Sequence, residues 1–299
     1  MISSKTKNII FVAFVLLVLF ILIFSLKEKN ISSKVQLIPT QKQDFLESYF
    51  NNVSEYEESF SKYSNLPKAK VFATTTSHHF LAKDLIAQTF SGIDPKGVKT
   101  VIIVGPDHYN QISDLKYMAQ TTDVQWRTPF GNMIADKQIL DSLSPNKEIN
   151  SDINLFRIEH SIYVLVPFIK KVFPDAKLVP LVLKQINDFQ YFSNLGEQIS
   201  KTVDVNSTLL VISSDFSHDS TIKTAIQNDQ KSISLLPNIN LRDINSITND
   251  CKQCTAFLFG YLKNINTKFT LLFNKNSFDI SGVNPDGVTS YVGIYYTPE

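Results

Sequence analysis

Four short runs of apolar, largely β-branched residues set the fold class of this chain. They are KVFATTT (70–76), KTVIIVG (99–105), AKLVPLVLK (176–184) and STLLVISS (207–214). Short apolar runs alone do not separate strand from buried helix, but β-branched side chains suit a pleated surface and favour strand. Helical patterns lie between them, in AKDLIAQTF, EHSIYVLVPFIKKVF and YFSNLGEQISKTV. TKFTLLFNK and VTSYVGIYYT add two strands near the C-terminus. Strands alternating with helices predict βαβ units. The expected fold is α/β, with a mainly parallel or mixed central sheet and helices on both faces.

Such a sheet binds ligands outside the carboxyl ends of its strands. Histidine is scarce, with five in the chain, and its placement is informative. His78 and His79 follow the first run, His108 follows the second, and Asp215 and His218 follow the fourth. His160 opens a predicted helix. A lone histidine is more often a hydrogen-bonded structural residue than a ligand, but several at one predicted sheet edge reverse that expectation. His78, His108 and Cys251 could supply three metal ligands and leave an open position. His160, His218 and Asp215 would then orient ligands or shuttle protons. A nucleophilic reading would use Cys251 with a His base and an Asp orienter. Cys251 and Cys254 form a C-x-x-C pair without a second such pair, so a structural zinc site is half missing. In an oxidising compartment a local disulfide is the plain reading, and it would withdraw Cys251 as a thiolate.

The 29 Lys and Arg against 28 Asp and Glu give a net charge of +1, which offers no nucleic-acid surface. Residues 1–7 are a short tail. Residues 8–26, NIIFVAFVLLVLFILIFSL, carry no charge and come close to the ~20 residues that span a bilayer. The run exceeds a signal-peptide core and no small-residue cleavage site follows, so a single-pass anchor is expected. Lys5 and Lys7 before it nearly balance Lys27 and Lys29 after it. The expected location is the cell membrane with the soluble domain outside the cytoplasm. Residues 27–66 read as a linker or stalk, with Phe45, Leu46, Tyr49, Phe50 and Val53 at roughly helical spacing. Residues 67–299 form the α/β domain. QWRTPFGN reads as a hairpin with packing roles for Trp126 and Phe130 and a surface ion pair for Arg127. NPDG (284–287) reads as a turn.

Taken in order, SHH, GPDHY, TPFGNMIAD, EHSI, SSDFSHD, a helix-opening Cys and a final VTSYVG strand resemble the Memo-like family. Its bacterial and archaeal members are called AmmeMemoRadiSam system protein B. The resemblance covers about residues 68–297 and implies a fold similar to class III extradiol dioxygenases. It implies a site of two His and one Cys holding iron or copper, which falls here on His78, His108 and Cys251. Asp215, His218 and His160 match pocket positions of the same pattern. This chain departs from the pattern at Ser77, at His79, Phe80 and Leu81, and at Lys252, and His79 competes with His78 as the ligand. The expected activity is redox chemistry at a mononuclear metal on an unidentified small molecule or peptide. An extradiol-type non-haem iron dioxygenase and a non-catalytic metal- or peptide-binding scaffold are the alternatives.

Overall fold

The computed structural model describes residues 45–113, 116–283 and 287–299. The expected tail, the apolar span 8–26 and residues 284–286 of the NPDG turn lie outside the described residues. Among the described residues no helix is long and apolar enough to cross a membrane.

The strands are β1 (Phe45–Glu47), β2 (Ala73–Thr76), β3 (Thr100–Pro106), β4 (Ala119–Thr121), β5 (Gln125–Thr128), β6 (Gly131–Met133), β7 (Ile149–Ser151), β8 (Lys177–Leu183), β9 (Thr208–Ser213), β10 (Thr267–Asn276) and β11 (Ser290–Pro298). The helices are α1 (Val53–Ser61), α2 (Lys83–Ser91), α3 (Lys137–Leu143), α4 (Ile153–Ile158), α5 (His160–Tyr163), α6 (Val166–Val172), α7 (Phe189–Thr202), α8 (Ile222–Leu235), α9 (Lys252–Leu262) and α10 (Ser277–Ser281). Eight strands form one mixed sheet in the order β10-β11-β2-β9-β3-β8-β4-β7. Its centre, β2-β9-β3-β8, is parallel, while β11 joins β2 and β4 joins β8 in antiparallel fashion. All six apolar runs of the sequence became strands of this sheet.

The central strands are apolar on both faces because both faces are covered. Successive side chains of a strand point to opposite faces. In β3, Ile102 and Val104 enter one apolar cluster with Phe192 of α7 and Phe257 of α9, whereas Val101 and Ile103 enter a second with Phe90 of α2 and Phe168 of α6. The helix expected across EHSIYVLVPFIKKVF is split into α5 and α6. Pro167 lies in the first turn of α6, where its missing N–H costs nothing, and it disfavours a continuous helix through the preceding residue.

Residues 45–66, expected within the linker or stalk, belong to the compact unit Phe45–Glu299. Phe45 and Leu46, read as helical, lie in a strand paired in parallel with Gln125 and Trp126 of β5. Tyr56 of α1 is buried and meets the Phe168 ring edge-on at 4.8 Å. The hairpin reading of QWRTPFGN holds as β5–β6. Trp126 is buried against Phe156, and Arg127 pairs with Glu47 at 2.9 Å on the surface.

Candidate metal centre

Strands β2, β9 and β3 are adjacent and parallel, so their carboxyl ends open on one edge. Each is followed by a candidate residue: His78 after β2, Asp215 and His218 after β9, and His108 after β3. Helix α5 brings His160 to the same place because Ser161 packs against β3. A side chain at Gly105 would overlap the Ser161 hydroxyl and place its Cβ 2.8 Å from the Ser161 Cβ. The Ser161 hydroxyl bonds to the Pro106 carbonyl at 3.2 Å.

The rings converge. His78 and His108 have centroids 4.9 Å apart, His78 and His160 5.1 Å, and His108 and His160 stack at 4.1 Å. One nitrogen from each of His78, His108 and His160 lies within 4.8 Å of the others, and His78, Asp215 and Asp250 form a second such group. His218 reaches the cluster from the rim, with Nε2 3.8 Å from Asp250 Oδ2.

The hydrogen-bond network assigns the ring tautomers. Ser213 Oγ donates its proton to the Ser161 carbonyl at 2.6 Å. It therefore accepts from His78 Nδ1 at 3.0 Å, and Nε2 of His78 faces the cluster. Glu159 is fully buried, and its Oε1 accepts from His108 Nδ1 at 2.8 Å. A carboxylate only accepts, so Nε2 of His108 also faces the cluster. The remaining oxygen of Glu159 accepts from the His108 backbone N–H at 3.0 Å. Imidazoles held in this way through the distal nitrogen are the usual arrangement of metal-binding histidines.

Charges complement the geometry. Burial opposes protonation of His78, but Asp215 and Asp250 outweigh it and raise its pKa. Burial also opposes protonation of His108, but Asp250 and Glu159 push it up to about 10. Asp250 itself raises His218. Burial, then the charges of His78 and His108, push His160 down to about 4. Burial would raise Asp250, but His78, His108 and His218 hold its carboxyl well below the ordinary range. The carboxylates thus favour the charged form of the imidazoles. A cation bound here would compete with protons for the imidazoles.

Cys251 of the expected two-His, one-Cys set is disulfide-bonded in this structure, and the groups that converge are imidazoles and carboxylates. It is fully buried among apolar residues, and its sulfur is bonded to Cys254. His79 does not displace His78: its Nδ1 lies 2.7 Å from the Tyr291 hydroxyl. Asp107 is a turn residue, its Oδ2 accepting from the Ile112 N–H at 2.7 Å. Sequence reading missed two site residues. Glu159 stands beside His160 in a helix-capping position, and a carboxylate next to a candidate ligand was a usable signal. Asp250 lies in a polar connection with no strand before it, and only its place ahead of Cys251 pointed to it.

The profile described as Memo-like protein matches residues 39–295. The chain belongs to the Memo-like family. A MEMO1 family protein of Caldivirga maquilingensis is 31% identical over 196 residues, covering 62% of this chain and 67% of that one. A MEMO1 family protein of Aquifex aeolicus is 26% identical over 258 residues, 80% of this chain and 67% of that one. The solved structure of an uncharacterized Escherichia coli K12 protein has a TM-score of 0.44 at 10% identity, covering 74% of this chain and 98% of that chain. That likeness is too low to align site residues.

Proposed function

We propose that this Memo-like chain binds one redox-active metal ion, iron or copper, at the carboxyl edge of its sheet. One observation carries the reading: the Nε2 atoms of His78 and His108 are aimed by Ser213 and Glu159 at the same buried carboxylate oxygen, 3.3 and 3.5 Å away. Imidazole and carboxylate donors fit such an ion. The metal would supply electron transfer and Lewis acidity to an unidentified small molecule or peptide. His160, pushed down to about 4 by burial and the neighbouring imidazoles, would offer a neutral ring to what binds there. His218, half-exposed and raised by Asp250, can give a proton. Asp215 faces His78 from the cluster side, with its Oδ2 3.8 Å from Nε2.

The same reading places the chain at the cell membrane through residues 8–26, with the folded domain outside the cytoplasm. The Cys251–Cys254 disulfide supports an oxidising compartment. Fractionation and reporter fusions at the C-terminus test this part; a fully soluble chain, or a cytoplasmic reporter signal, would overturn it.

Metal analysis of the full-length protein, purified anaerobically in detergent, tests the site. The wild type is expected to hold about one equivalent of iron or copper. His78→Ala and His108→Ala are expected to lose it while keeping the wild-type far-ultraviolet spectrum. Metal retained at wild-type stoichiometry by both variants would sink the reading.

A further inference from the structure

We infer that Asp250, rather than Cys251, supplies the third protein ligand, giving a two-histidine, one-carboxylate donor set for a divalent first-row ion. The inference rests on the metal-binding reading above and changes its donor chemistry from sulfur to oxygen.

Distances favour Asp250. Ligand atoms about 2.1 Å from a shared ion, at octahedral to tetrahedral angles, lie about 3.0–3.4 Å from one another. Asp250 Oδ2 lies 3.3 Å from His78 Nε2 and 3.5 Å from His108 Nε2. Asp215 Oδ2, the other nearby carboxylate oxygen, is farther from His78 Nε2 at 3.8 Å.

The two oxygens of Asp250 divide the work. Oδ1 accepts from the Ser214 hydroxyl at 2.8 Å and from the Asp215 N–H at 3.1 Å. The Asp250 N–H donates to the Asp215 carbonyl at 3.0 Å, so backbone and side chain are both held by the loop after β9. Oδ2 has no hydrogen-bond partner and meets three imidazole Nε2 atoms within 3.8 Å. One oxygen fixed by the loop and one turned toward ring nitrogens is how an outer shell presents a carboxylate to a metal.

Cys251 fails on the same tests. Its sulfur is shared with Cys254, and a ligand must be a thiolate. It serves as the N-cap of α9, and its side chain lies in the apolar cluster under the sheet. Helix α9 is fixed against α7, where the Gly260 position touches the Ser193 backbone. The residue just before the cap is therefore placed at the sheet edge by a rigid element. This chain puts a carboxylate there, one residue before the position at which the family resemblance puts a thiolate. Without sulfur, the donor set loses its preference for copper(I) and matches the two-His, one-carboxylate facial set of non-haem iron(II) proteins.

Cobalt(II) is the probe, titrated anaerobically into metal-stripped full-length protein with and without a disulfide reductant. Asp250→Asn is expected to weaken cobalt binding more than about 100-fold, beyond what loss of an outer-shell partner gives. The Cys251→Ser/Cys254→Ser double variant is expected to bind within a few-fold of wild type. The wild type is expected to show no thiolate-to-cobalt charge-transfer band in either redox state, a readout that needs no variant to fold. A thiolate band on reduction, or wild-type affinity in Asp250→Asn, overturns the assignment of Asp250. If His78→Ala also binds as wild type, or the wild-type chain takes up no metal, the metal-binding reading falls with it.

Discussion

The two ends of strand β3 use polar residues in opposite ways. At its start, Thr100 donates to Asp136 Oδ2 at 2.6 Å, and Asp136 Oδ1 accepts from the Ile139 N–H to cap α3. Thr100 Oγ1 and both Asp136 oxygens are thus partnered, although the adjoining cleft is lined by Lys99, Lys177 and Asp175 and has the look of a site. At its far end, Asp215 Oδ1, Asp250 Oδ2 and His160 Nδ1 are buried without hydrogen-bond partners. A closed set of bonds marks structure, and a convergent open set marks a place for a ligand.

Variation of pH is expected to separate the two ends most strongly. His108, raised to about 10 in the fold, has an ordinary value near 6.5 when unfolded. Its contribution to stability is full below about 6.5 and is lost as pH rises towards 10. The metal-free protein should therefore lose a few kcal/mol between pH 7 and 10. A thermal midpoint that stays level or rises across that range contradicts the charge pattern at the site. Next in size, Glu159→Gln should weaken metal binding about 10–100-fold by releasing the His108 ring. Unchanged affinity in an equilibrium titration would show that His108 needs no such support. Gly105→Ala should cost about 1–3 kcal/mol, because its methyl group displaces Ser161 and with it α5; denaturant unfolding measures it.

At the opposite end, Asp136→Ala should cost about 1–2 kcal/mol through the lost cap and the unpaired Thr100 hydroxyl. Metal affinity should not move. A fall in affinity as large as that of Glu159→Gln would erase the contrast between the two ends. Arg127→Ala should cost less than about 1 kcal/mol, since its ion pair with Glu47 is exposed.

How much of this was legible in sequence follows from how far each signal reaches. The central strands show themselves because burial on two faces leaves an unbroken β-branched run, and the turn after such a run reveals its carboxyl end. His78, His108 and Asp215 were found in this way. Strand β1 is three residues long and pairs with a segment far along the chain, so no local period marks it, and Phe45 and Leu46 read as part of a helix. Asp250 escaped for a related reason. Its role depends on Ser214 and on the Asp215 backbone, which lie outside any window around it. The spacing of Cys251 and Cys254 allows both a ligand and a disulfide, and the structure places the two sulfurs in a bond.

The pairing of β2 has a consequence for the order of assembly. This strand, which carries His78, has β9 and β11 as its neighbours, and β11 ends at Pro298. Contacts so distant in sequence form late, after the chain entropy of closing long loops has been overcome. On the ribosome, β2 emerges long before β11, so its second edge stays uncovered until Ser290–Pro298 has been made. The histidine that opens the cluster is therefore among the last to be locked in place, and an unfinished chain offers a passing metal ion no assembled site.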